Sequence, residues 1–229
     1  MNLSKITSLV LFLFFLGFSA QAQTETRTPG KFTGVSSEGS WDVLITIGDI
    51  DQVKLVSKGF DLSEVITEVE DGKLEIELKD DDDDNRDFTV YVTIKKLESL
   101  GLAGSGNIMV RSDVYSKEFG IGQAGSGTIS LEFLETDDLN ICMSGSGTVS
   151  ISSGRAGDVN IGQVGSGDFK GIDLMAGDVK IGKTGSGDVH IGVDGDLTVG
   201  SIGSGNVYYR GNPTDISKGN LGSTKVIKN

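Results

Sequence analysis

The chain has 229 residues, with 20 basic and 33 acidic side chains, 34 glycines, one histidine and one cysteine. A net charge of −13 excludes capture of nucleic acid or anionic lipid through bulk charge. The single histidine, His190, excludes a His-rich metal centre, and the single cysteine, Cys142, excludes an internal disulfide.

Residues 1–22 read as a secretory signal. Lys5 supplies the positive start, Leu9 to Phe18 the apolar stretch, and Ala20-Gln21-Ala22 a small-x-small cleavage site. The apolar run is too short to span a bilayer, and no other segment is long and apolar enough to do so. No cysteine near the cleavage site offers a lipid anchor. Cleavage leaves a chain starting at Gln23 with 19 basic against 33 acidic residues, a net −14. Residues 23–29 read as a short linker, and 30–229 as one domain.

The front part of that domain, 30–102, reads as irregular β structure that caps a repetitive second part. Its expected strands are Trp41–Ile47, Val53–Ser57, Val65–Glu70, Leu74–Leu78 and Phe88–Ile94. The last two alternate apolar and polar residues, and Gly48-Asp49 and Asp71-Gly72 mark turns. Five aspartates, Asp80 to Asp84, fall between two of these strands. They suit a solvated loop, or a Ca²⁺ site using carboxylates such as Asp81 and Asp83.

From residue 103 the chain repeats. Gly-Ser-Gly stands at 104–106, 125–127, 145–147, 165–167, 185–187 and 203–205, with a degenerate copy at Gly222-Ser223-Thr224. Successive copies are 21, 20, 20, 20, 18 and 19 residues apart, the signature of a solenoid. After each motif comes a run such as Thr148-Val149-Ser150-Ile151. Midway lies a second set, such as Asp158-Val159-Asn160-Ile161 and Asp178-Val179-Lys180-Ile181. Alternation buries Val159, Ile161, Val179, Ile181, Val189 and Ile191 and turns the middle residues outward. The expected fold is therefore all-β: a right-handed parallel β-helix of ~20-residue coils stacked about 4.8 Å apart. Both motif glycines are expected at positive φ where the chain turns, with the serines stacked between them.

In register, one outward column runs Met109, Ser130, Ser150, Lys170, His190, Tyr208. Another runs Gly120, Asn140, Asn160, Lys180, Thr198. Neither carries the paired carboxylates of a glycosidase. Asp158 and Asp178 fall one coil apart, as do Asp168 and Asp188. Like charges at that spacing repel, so these aspartates either cap backbone N–H groups or hold Ca²⁺ between coils. No other cofactor is implied. The Gly-rich loops precede strands rather than helices, which excludes a phosphate cradle.

Phe32-Thr33-Gly34-Val35, Gly72-Lys73-Leu74-Glu75-Ile76, Leu97-Glu98-Ser99-Leu100 and the ordered Gly-Ser-Gly-[Asp/Asn/Thr]-[Val/Ile] copies resemble the head GIN domain family of auto-transporter adhesins. The resemblance spans about residues 30–225. It implies a β-helical fold and an envelope or surface location, and it brings no catalytic residues.

Three functions compete. One is a non-enzymatic envelope protein that binds a protein or glycan. Another is a polysaccharide-acting enzyme, for which Trp41, Tyr91, Tyr208 and Tyr209 are the available sugar platforms. The third is a purely structural envelope protein. The expected location is periplasmic, cell-surface or secreted in a Gram-negative bacterium, as a monomer or small homo-oligomer. The tail, with Pro213, Lys218, Lys225 and Lys228, reads as an end protected against open stacking.

Overall fold

The computed structural model describes residues 23–79 and 87–229. The leader 1–22 and the loop holding Asp81 and Asp83 lie outside the described residues. The rest is a β-solenoid of about six turns, 72% strand.

β9 (Asn107–Gly125) and β10 (Thr128–Gly145) each wrap most of a coil. They pair in parallel from Thr128↔Asn107 to Gly145↔Gly125. β11 (Thr148–Ile151) and β12 (Gly154–Gly165) lie on β10 in the same sense. β13 (Asp168–Ala176), β14 (Val179–Gly185), β15 (Val189–Val193) and β16 (Asp196–Gly203) continue the stack. Each coil has three sides: a short run after the corner, a shorter second run as at 134–136, and a long run as at 138–145. Val159, Ile161, Val179, Ile181, Val189 and Ile191 are all at most 3% exposed, so the apolar columns stand where the alternation places them.

The two glycines of each corner act differently. The first alone has positive φ, from Gly104 through Gly125, Gly145, Gly165, Gly185 and Gly203 to Gly222. The second has ordinary φ but lies against the carbonyl of its counterpart one coil away, as Gly147 lies on Gly127 and Gly167 on Gly147. The corner N–H groups are consumed by the stack: Ser146 and Gly147 both donate to Gly125 O, at 2.9 and 3.0 Å. One serine pair, Ser186 and Ser204, meets through its hydroxyls at 3.2 Å.

The front half continues the rod and then closes it. β3 (Asp42–Ile47) lies parallel on β9, and β7 (Phe88–Ile94) on β3. β8 (Ser99–Gly104), β2 (Gly34–Gly39) and β6 (Lys73–Leu78) extend the long side in the same way. Both stacks end in antiparallel strands: β4 (Gln52–Ser57) on β7, and β5 (Val65–Glu70) on β6. Phe60 and Trp41 stack on either side of Phe88, at 5.1 and 5.0 Å between ring centroids, and fill this end.

The segment read as a linker is a correction. Gln23–Arg27 forms β1, antiparallel to β4 from Gln23↔Ser57 to Arg27↔Val53. Alternation is weak here because β1 is an exposed edge strand. Arg27 holds it in place by donating to Leu62 O at 2.7 Å and Thr67 Oγ1 at 3.1 Å. At the far end, β18 (Asp215–Gly222) puts Lys218 and Asn220 in register with Val199 and Ser201. Two inward columns there end in polar side chains, while Ile216 and Val226 end the columns of Leu197 and Val207.

Candidate functional site

The aspartate columns engage the backbone of the following coil. Asp168 Oδ1 accepts from Asp188 N at 2.9 Å, Asp188 Oδ1 from Asn206 N at 2.7 Å, and Asp178 Oδ1 from Asp196 N at 2.8 Å. The carboxylates thus stand beside N–H dipoles, which offsets the repulsion between neighbours. Asp158 is exposed, in register with Asp138. Among the described residues, none of these four belongs to a group of three or more potential metal ligands. We expect the melting temperature to be indifferent to Ca²⁺ and to EDTA; calorimetry with each additive checks this, and a Ca²⁺-dependent rise above a few degrees would show inter-coil ion binding.

The three carboxylates that do converge are Glu38, Glu75 and Glu77, their oxygens within 4.8 Å of one another. They meet because β2 lies parallel on β6, with Ser36 opposite Glu75 and Ser37 opposite Ile76. Burial, then the charges of Glu38, Glu75, Glu70 and Glu68, hold the Glu77 carboxyl above its ordinary value. A raised carboxyl pKa costs the folded state nothing below the ordinary value; the cost grows as pH rises through that value and is complete above the folded one. Glu77→Gln is therefore expected to raise the melting temperature at pH 7 and to leave it unchanged near pH 4. Equal shifts at both pH values would contradict this.

Both outward columns have the expected register: Lys170↔His190, His190↔Tyr208 and Ser150↔Lys170 on one side, Asn160↔Lys180 and Lys180↔Thr198 on the other. Asn160 donates to Asn140 Oδ1 at 3.3 Å. The proposed sugar platforms do not assemble. Trp41 is buried at the capped end and Tyr91 lies exposed on β7. Tyr208 stacks on His190 with centroids 4.6 Å apart, and its neighbour Tyr209 packs against the core.

The long side carries a feature that the strand pattern did not announce. It runs four residues past the apolar pair, adding one inward and two outward columns. The inward one is Leu102, Gln123, Met143, Gln163, Lys183, Ser201, every member at most 4% exposed. Outward stands Gly101, Gly122, Cys142, Gly162, Gly182, Gly200, Gly219. Beside it stands Ala103, Ala124, Ser144, Val164, Thr184, Ile202, Leu221, with Val164, Ile202 and Leu221 59%, 54% and 72% exposed. No charged side chain interrupts either column. The result is an apolar trough of about 560 Å³, continued past Gly182 and Thr184 by a further 350 Å³. Cys142 is exposed on its floor.

Apart from Gly101, whose Cβ would lie 2.9 Å from Ser36 Oγ, these glycines are not needed by the coil itself. A Cβ on Gly122, Gly182 or Gly219 would meet no atom within 4 Å, and none of the three has a positive φ. A strand glycine costs roughly 0.5–1 kcal/mol relative to alanine. Strand glycine is a common feature of bulges, bends and places where a ligand or another backbone approaches closely.

Stacked parallel coils around one apolar interior place the chain among the parallel β-solenoids. Within that class it belongs to the family described as "Putative auto-transporter adhesin, head GIN domain", whose model matches residues 31–213. Three solved structures share the fold. A "putative adhesin" from Bacteroides fragilis is 16% identical, covers 92% of this chain and 98% of its own, and has a TM-score of 0.82. One from Parabacteroides merdae is 19% identical over 92% and 97%, at 0.74. A "putative lipid binding protein" from Parabacteroides distasonis is 20% identical over 92% and 98%, at 0.67. No curated protein matches. Among the described residues no helix is long and apolar enough to cross a membrane.

Proposed function

We propose that this chain is an exported, non-enzymatic envelope protein that binds a macromolecular ligand along the trough of its long side. One observation carries the reading: six of seven trough-floor positions are glycine although several have room for a side chain. An uncharged lane on a strongly acidic molecule is also where an extended partner approaches without desolvating charge. The family description and the signal-like leader agree with an adhesive role outside the cytoplasm.

Gly162→Arg tests it. A Cβ there has only Ile141 O nearby, at 3.8 Å, so the coil accepts the change while the arginine fills the trough. Arrays of glycans and extracellular-matrix proteins are expected to yield a ligand for the wild type that the variant loses at least about tenfold. Background signal for both across broad panels would end the proposal. Polymer depolymerisation assays are expected to stay silent. The low polarity of the trough favours a second reading, an acyl chain as ligand. Sedimentation with phosphatidylcholine vesicles separates it, since only that reading has the chain pellet with them.

A further inference from the structure

We infer that a second site, at the step between the 20-residue and 18-residue coils, binds an acidic sugar residue of a polysaccharide. The step arises in β13. Gly171 opposes Ile191, yet Met175 opposes Gly192, so Ile172, Asp173 and Leu174 have no counterparts in the next coil. Leu174 turns inward and is fully buried. Ile172 and Asp173 stand out as a ledge beside a cleft of about 450 Å³, within the ~300–1,000 Å³ usual for small-ligand sites. Ser150, Ser152, Lys170 and His190 line the rest of it with Ile151.

The groups in the cleft divide by chemistry. Lys170 follows Ser150 in the column and carries the cation. Among the described residues no carboxylate forms an ion pair with it. Asp173 is held instead by Arg210, which reaches across from the second coil beyond. That contact fixes one carboxylate oxygen and leaves the other to accept from hydroxyl groups. His190 is held by its stack on Tyr208, whose hydroxyl in turn accepts from Asn206 Nδ2 at 3.2 Å. A cation for a carboxylate, a fixed carboxylate for vicinal hydroxyls, two serine hydroxyls and an isoleucine for a C–H face together match a uronate ring. A neutral sugar would leave the Lys170 ammonium unused, and a bare anion would have no use for Asp173. The site is separate from the trough, and its test distinguishes the two.

Isothermal titration calorimetry of the chain from Gln23 onward, with tetragalacturonate as probe and neutral galactotetraose as comparison, measures this directly. The acidic oligosaccharide is expected to bind at least about tenfold more tightly than the neutral one. Lys170→Ala is expected to weaken it at least about tenfold, and Asp173→Asn several-fold. Both side chains are exposed, so the two variants are expected to melt with the wild type. Gly162→Arg, which blocks the trough, is expected to leave this binding unchanged. The inference is overturned if the acidic probe gives no heat, if the neutral probe binds equally, if Lys170→Ala binds as the wild type does, or if inorganic phosphate binds as tightly as tetragalacturonate.

Discussion

Gly145→Ala is expected to lower the melting temperature by roughly 10 °C, whereas Gly182→Ala is expected to raise it slightly. The substitution is the same, and the two sites are separated by function. Gly145 has φ +112°, a region closed to side chains, and its added Cβ would collide with the carbonyl oxygen, carbon and nitrogen of Gly125. That oxygen accepts from Ser146 N and Gly147 N, so the corner cannot move away without breaking the stack. Strain and lost hydrogen bonding together reach about 3–5 kcal/mol. At 2–4 °C per kcal/mol for a chain of this size, that gives the expected fall. Gly182 has ordinary φ and no atom within 4 Å of its Cβ position. Alanine there reduces only the freedom of the unfolded chain, worth about 0.4–1 kcal/mol in favour of folding. Thermal melts of both variants decide the matter. Equal losses would mean that trough and corner glycines serve the same architectural purpose, and the functional reading of the trough would fall with that distinction.

That contrast also explains how much of the molecule was legible. The period and the alternation of Val and Ile place the coils, their parallel register and both original outward columns, because a period-2 pattern with a buried face leaves one register. The strand from Phe88 to Ile94 falls where alternation puts it, and the one expected at Val65 to Glu70 has those bounds. The trough was hidden because Ile161-Gly162-Gln163 and Ile181-Gly182-Lys183 look like the end of a strand. Glycine and a polar residue after an apolar pair ordinarily signal a turn. Here the glycine faces out and the glutamine or lysine faces in, so the strand continues with its usual polarity reversed. The repetition of Gly-Gln, Gly-Gln, Gly-Lys and Gly-Ser at one place in the coils, interrupted once by Cys142-Met143, was the available sign. The ledge was foreshadowed too, by the shortening of the motif spacing from 20 to 18 residues after Gly185. Its consequence depends on which side of the coil loses residues, and spacing alone does not specify that. β1 was missed for another reason: its anchoring groups, Leu62 O and Thr67 Oγ1, come from residues far along the chain.

The reversed column has an energetic consequence at Lys183. Its side chain is 3% exposed, and its ammonium donates to Gly205 O at 2.8 Å. Desolvation lowers its proton affinity, and the Asp188 carboxylate offsets this in part. Because the folded pKa lies below the unfolded value, the unfolded chain holds more protons between the two, and stability rises with pH across that interval. Below the folded pKa the cost of burying the charge is present in full. Met143 occupies the equivalent place two coils away, 4% exposed, so an unbranched apolar side chain fits this column. Lys183→Met is accordingly expected to stabilise the protein at neutral pH by about 1 kcal/mol, after allowing for the lost bond to Gly205. It should also flatten the alkaline rise in melting temperature. Lys183→Ala, which leaves the space unfilled, is expected to cost about 2 kcal/mol instead. Melting curves of the three proteins between neutral pH and about pH 10 provide the check. A methionine variant less stable than the wild type at pH 7 would mean that the buried ammonium contributes more to the corner carbonyls than its desolvation removes.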